Sequence, residues 1–75
     1  MDASSDLRVF VRVMDRGNFS LAASDLGLTP SAVSKLISRL EDRLGVRLLE
    51  RSTRRLALTP EGETFLARAR RIVAD

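Results

Sequence analysis

The stretch TPSAVSKLISRLEDRLG, Thr29 to Gly45, decides how the chain is read. Val33, Leu36, Ile37, Leu40 and Leu44 recur at helical spacing. On a wheel of about 100° per residue they fall in one arc roughly 100° wide, the face that would meet a core. Thr29 stands at the N-cap, Pro30 at the first helical position, where its missing N–H costs nothing, and Gly45 at the end. The sequence predicts a helix from Pro30 to about Leu44. Ser31, Ser34, Lys35, Ser38 and Asp42 fall on the opposite side. Serine is a mediocre helix former because its hydroxyl competes for the backbone. Exposed helix faces are better served by Glu, Lys and Gln. A strip of short hydroxyls instead suits close contact, because it lets the backbone approach another surface. Each hydroxyl donates and accepts, and Lys35 supplies a cation. The major groove of B-DNA admits one α-helix. The plain alternative is an exposed serine face that meets only water.

Upstream, Leu7, Phe10, Val11 and Met14 fall at i, i+3, i+4 and i+7, widened by Val9 and Val13. They predict a helix near 4–16, with Ser4 or Ser5 as its cap and Gly17 as its end. After the Gly17-Asn18 turn signal, Ser20 reads as the N-cap of a short helix from Leu21 to Leu26, closed by Gly27. Two helices joined by a turn of about three residues containing glycine form a helix-turn-helix signature. Ala23 is small where the pair must approach, and Ala22, Leu26, Leu28, Val33 and Leu36 are apolar where it packs.

Downstream, Val46–Glu50 and Leu56–Leu58 read as two short strands around the basic tip Arg51-Ser52-Thr53-Arg54-Arg55, a β-hairpin. Thr59-Pro60 repeats the cap-then-proline start, and Glu61 and Glu63 suit the positive end of a fourth helix. Phe65, Leu66, Ala69, Ile72 and Val73 form its stripe. The stripe is still running where the sequence stops, so we expect the N-terminal piece of a longer chain. The expected division is a domain over 1–59 and the start of a linker and dimerisation helix over 60–75.

Seventy-five residues make one small domain. No apolar run is long enough for a transmembrane span. Without cysteine or histidine, disulfides, thiolate chemistry and the usual zinc ligands and general base are missing. The net charge of +3 is concentrated, because residues 46–60 hold Arg47, Arg51, Arg54 and Arg55 against Glu50 alone. A concentrated basic patch points to a polyanionic partner. Three rival readings stand beside it. A hydrolase built on Ser31 and Lys35 lacks an oxyanion hole, an orienting third residue and enough chain for a pocket. RNA binding lacks a stacking platform, since Phe10, Phe19 and Phe65 all read as buried. A winged helix that binds protein reuses the same fold, but the basic tip and the polar helix face favour DNA.

The run from Phe19 to Glu63 resembles the N-terminal DNA-binding domain of the LysR-type bacterial transcriptional regulators. The specific parts are AVS-x-x-I-x-x-LE-x-x-LG-x-x-LL-x-R and the LTPEG that opens the fourth helix. The resemblance implies a mainly α, winged helix-turn-helix fold: a three-helix core, a small β-hairpin wing and a long C-terminal linker helix. It implies a recognition helix over 30–44 in the major groove and a basic wing over 51–55 on the backbone or minor groove. Family positions that touch DNA fall on Pro30, Ser31, Ser34, Lys35 and Arg54, with Ser20 and Leu21 against the backbone. Ser38, Arg51 and Arg55 complete the expected contacts. The implied partners are double-stranded promoter DNA and a second copy paired through the fourth helix, with higher oligomers in the full-length protein. No cofactor is implied in this domain; a small-molecule co-inducer belongs to an effector domain beyond it. The implied setting is cytoplasmic, on the nucleoid, away from membranes. Pro30 and Lys35 replace the Gln and Arg of many members, so base preference does not transfer: Pro30 has no amide to offer, and Lys35 lacks the bidentate fork of arginine.

Overall fold

The computed structural model describes the main chain of residues 3–50 and 56–74, and side chains over 5–50 and 56–73. The expected wing tip, with Arg51, Arg54 and Arg55, lies outside the described residues. Four helices follow in order: α1 (Ala3–Arg16), α2 (Phe19–Leu26), α3 (Pro30–Leu44) and α4 (Pro60–Ala74). The core gathers Phe10 and Val13 from α1, Ala22 and Ala23 from α2, Val33, Ile37 and Leu40 from α3, and Leu48 and Leu49 from the segment after it. Phe65 of α4 closes it against Phe10, ring centroids 5.7 Å apart.

Local signals set most of the boundaries. Thr29 caps α3, its Oγ1 accepting from the Ala32 amide at 3.1 Å, with Pro30 behind it. Gly27 ends α2 at φ +68. There its amide donates to the Ser24 carbonyl and the Leu28 amide to the Ala23 carbonyl at 2.8 Å, the two bonds of a Schellman turn. That tight reversal sets α3 across α2.

Several expectations need correction. α1 begins at Ala3, ahead of both serines offered as its cap. Its buried centre is Val9, Phe10, Val11 and Val13, while Leu7 and Met14 are half-buried at the margins. Phe19 and Phe65 are also half-buried rather than enclosed. Leu44, placed in the core by the wheel, is 41% exposed, because its last-turn position lies beyond the helices that cover Val33 to Leu40.

The hairpin is shorter than two regular strands. Among the described residues it is one antiparallel bridge, Leu49 with Leu58, flanked by bonds from the Glu50 amide to the Ala57 carbonyl and from the Thr59 amide to the Leu48 carbonyl. Glu41 explains the interruption. Its Oε2 accepts from both the Leu48 and Leu49 amides, at 2.8 and 3.2 Å. Strand geometry sends successive residues to opposite sides, so two successive amides converging on one oxygen end the regular strand there.

α4 starts hard against this segment. The Thr59 Oγ1 accepts from the Gly62 amide at 2.9 Å and donates to the Arg47 carbonyl at 2.6 Å. Gly62 has to be glycine for space: a Cβ there would stand 2.1 Å from the Leu48 carbonyl oxygen. At Gly27, in contrast, a Cβ would meet nothing within 4 Å, and only the left-handed backbone resists a side chain. Gly27→Ala is therefore expected to cost about 1–2 kcal/mol. Gly62→Ala, which must push backbone aside, is expected to cost about 3 kcal/mol or more. Urea unfolding of both variants checks the order; a Gly62→Ala midpoint equal to that of Gly27→Ala contradicts the close approach.

Candidate nucleic-acid interface

Along the outer side of α3, Pro30, Ser31 and Lys35 are exposed, and Ser34 and Ser38 are partly buried at the ridge's flank. The structure thus brings the five recognition-helix candidates onto one continuous ridge, with Asp42 exposed at its far end. Thr29 is committed to its cap. The hydroxyls of Ser31, Ser34 and Ser38 have no protein hydrogen bond among the described residues, so none is turned back on the i−4 carbonyl as helical serines often are. Each presents an unspent donor and acceptor.

Arg43 pairs with the nearly buried Asp6 at 2.9 Å, Arg16 and Arg12 share Asp25 at 3.2 and 3.9 Å, Arg47 lies 3.6 Å from Glu41, and Arg70 meets Asp15. Lys35 and Arg39, one turn apart on α3, have no acidic partner among the described residues. Arg39 was not singled out in the sequence, although its i+4 spacing from Lys35 was the available signal.

Ser20 is exposed near the start of α2 but does not cap it. The helix begins at Phe19, and Asn18 is the cap, its Oδ1 accepting from the Leu21 amide at 2.9 Å with extended backbone. Asn18 wins because it stands before the first helical residue, whereas Ser20 is already in the helical conformation. Leu21, beside it, is 46% exposed. Arg51, Arg54 and Arg55 lie outside the described residues; Leu49 and Leu58, which precede and follow them in sequence, are bridged.

The comparisons with known proteins agree with this geometry. Residues 4–63 match the model of the bacterial regulatory helix-turn-helix proteins of the lysR family. The chain belongs to the lysR family. The HTH-type transcriptional regulator CrgA of Neisseria meningitidis (serogroup C, strain 8013) is 50% identical over 72 residues, which is 96% of this chain and 24% of that protein. The chain thus spans about a quarter of the length of such curated relatives. Among solved structures, the BenM DNA-binding domain in complex with benA site 1 DNA superposes with a TM-score of 0.91 at 36% identity, covering 99% of this chain and 82% of that one. The CbnR DNA-binding domain, also solved as a DNA complex, gives 0.87 at 39% identity, covering 99% and 84%. The fold is therefore the mainly helical winged helix-turn-helix of lysR-family DNA-binding domains, with α3 at the recognition-helix position. No helix among the described residues is long and apolar enough to cross a membrane.

The reassigned cap makes a direct prediction for this lysR-family domain. Asn18→Ala is expected to lower stability by about 1 kcal/mol. Ser20→Ala is expected to leave it unchanged or raise it by a few tenths, because alanine is the better helix former. Thermal unfolding of the two variants distinguishes them, and equal losses would return the cap to Ser20.

Proposed function

We propose that this chain binds double-stranded DNA sequence-specifically as the winged helix-turn-helix of a LysR-type transcriptional regulator. The observation that carries the reading is the ridge of α3: three hydroxyls with no protein hydrogen bond among the described residues, beside a lysine with no carboxylate partner among them. Ser34 and Lys35 sit at the centre of the contact, Ser31 and Ser38 to either side. Pro30 starts the helix and offers its ring to a thymine methyl. Ser20, on the exposed first turn of α2, faces the sugar-phosphate backbone. Arg51, Arg54 and Arg55 supply the wing's positive charge to phosphates or the minor groove. The relatives solved as DNA complexes support the same assignment.

The wider protein follows the same reading. α4 pairs with its counterpart in a second copy, so that two recognition helices meet an interrupted palindrome. An effector domain beyond α4 takes a small molecule, and the regulator works in the cytoplasm without catalysing a reaction. Residues 1–59 act as the reader and 60–75 as the start of the linker.

A salt-dependent titration against random duplex, followed by selection from a random duplex library, tests the proposal. Steep salt dependence and an enriched dyad-symmetric site are expected; no binding at low salt would remove the DNA reading and favour a protein partner for the α3 face. Lys35→Ala is expected to weaken binding and, where it meets phosphate, to reduce the slope of log K against log salt by about 1. Ser34→Ala is expected to cost on the order of 1–3 kcal/mol at its own base pair. An equal loss on every sequence would reassign Ser34 to backbone positioning.

A further inference from the structure

We propose that Glu41 is a positioning residue: by holding the Leu48 and Leu49 amides, its carboxylate fixes the direction of α4 relative to the recognition helix α3. The consequence for DNA rests on the proposed function; the mechanical claim does not.

α3 and α4 each pack on α1 but not on one another. An open groove of about 300 Å³, lined by Leu44, Val46, Glu61, Thr64, Phe65 and Arg68, lies between them. Two routes therefore link the helices. One runs through α1 and the core, against which Phe65, Leu66, Ala69 and Val73 of α4 pack, with Asp15 on Arg70. The first turn of α4, Pro60 to Glu63, lies outside that packed stretch. The second route runs through residues 47–49 and holds its first turn. There Thr59 donates to the Arg47 carbonyl through Oγ1 and to the Leu48 carbonyl through its amide, while Gly62 lies against that same Leu48 oxygen.

The other side of this three-residue segment is gripped by Glu41. Its carboxylate is 4% exposed, accepts two main-chain amides, and has the Arg47 guanidinium 3.6 Å away. Such charge-assisted bonds are shorter and stronger than neutral ones. Because Glu41 belongs to α3, its side chain adds a polar tether from the recognition helix to the segment that carries the first turn of α4, beside the chain through Gly45 and Val46 and the buried Leu48 and Leu49 side chains.

The geometry makes this anchor consequential. α4 has 15 residues and is about 22 Å long. A pivot of about 10° at its first turn moves its far end by about 4 Å. One base pair of half-site spacing corresponds to about 3.4 Å of rise and about 35° of turn. In a dimer joined through α4, that displacement is comparable to the rise of one base pair, and the pivot to under a third of its turn.

Residual dipolar couplings of the free chain test the anchor. Wild type and Val13→Ala, a core variant on α1 that leaves the Glu41 bonds to residues 48 and 49 in place, are expected to fit one alignment tensor across α1, α3 and α4. Glu41→Met, which keeps bulk but removes both oxygens, is expected to need a separate, smaller tensor for α4 while α1 and α3 still share one. Glu41→Gln, which keeps an oxygen without the charge, is expected to shift the same way by less, and it decides the matter should Glu41→Met not fold. A single tensor in the Glu41 variants overturns the proposal. Binding to paired half-sites whose spacing varies by one base pair gives the functional readout. Glu41→Gln is expected to reduce discrimination between adjacent spacings by roughly threefold or more, with affinity for a single half-site and the Val13→Ala profile unchanged. Unchanged discrimination, or none in the wild type, removes the role in spacing. A wild type that binds no duplex overturns the proposed function, while the couplings alone decide the anchoring of α4.

Discussion

The structure depends on one buried carboxylate. Glu41 is removed from water, and a carboxylate in that position is tolerable only if its oxygens are satisfied. The Leu48 and Leu49 amides do this, and in doing so they give the chain a fixed course after α3. Everything C-terminal to α3 inherits that course. Leu48 and Leu49 turn their side chains into the core, the Leu48 carbonyl receives the Thr59 amide, and α4 begins where Gly62 can lie against the same carbonyl. The demand is mutual. Without the carboxylate, two buried amides lack partners, at about 1–3 kcal/mol each. Without the amides, a charge is left in the core.

The ion pairs divide the surface in a way that their individual energies do not suggest. Exposed pairs are worth about 0–1 kcal/mol each, so Arg16–Asp25 and Arg70–Asp15 add little stability on their own. Their placement matters more. Asp25 ties α2 to α1, Asp6 of α1 ties α3 through Arg43, and Asp15 of α1 ties α4 through Arg70. The acids of α1 and α2 thereby neutralise arginines on the body of the domain. Lys35 and Arg39 on α3, like Arg8 on α1 and Arg68 and Arg71 on α4, have no acidic partner among the described residues.

What the sequence made legible was local. Thr29 with Pro30, Gly27, and Thr59 with Pro60 mark helix ends through bonds spanning three to five residues, and each stands where the sequence put it. The serine ridge was legible for the same reason, since one wheel fixes which side chains share a face. The misses came from contacts that a wheel does not contain. Asn18 and Ser20 are both good caps, and the choice depended on where Phe19 meets the core. Leu44 has the right angle for burial but no neighbour at its height. Glu41 stands at the edge of the apolar arc, and nothing in its local sequence marks it for burial. Its partners are seven and eight residues downstream, in a segment read as regular strand.

These observations together explain how a helix can keep three unspent serines. Serine gives up helix propensity, and a 75-residue domain has little stability to spare. α3 recovers what its outer face forgoes from its ends and its inner face. Thr29 caps one end, Gly45 closes the other through its amide on the Glu41 carbonyl, and Val33, Ile37 and Leu40 are fully buried. Glu41 adds a tertiary tether near the last turn, where a helix would otherwise fray. With the helix secured on three sides, the fourth need contribute nothing to folding. Its hydroxyls and its lysine can stay unengaged until a second surface, with acceptors and negative charge of its own, arrives to use them.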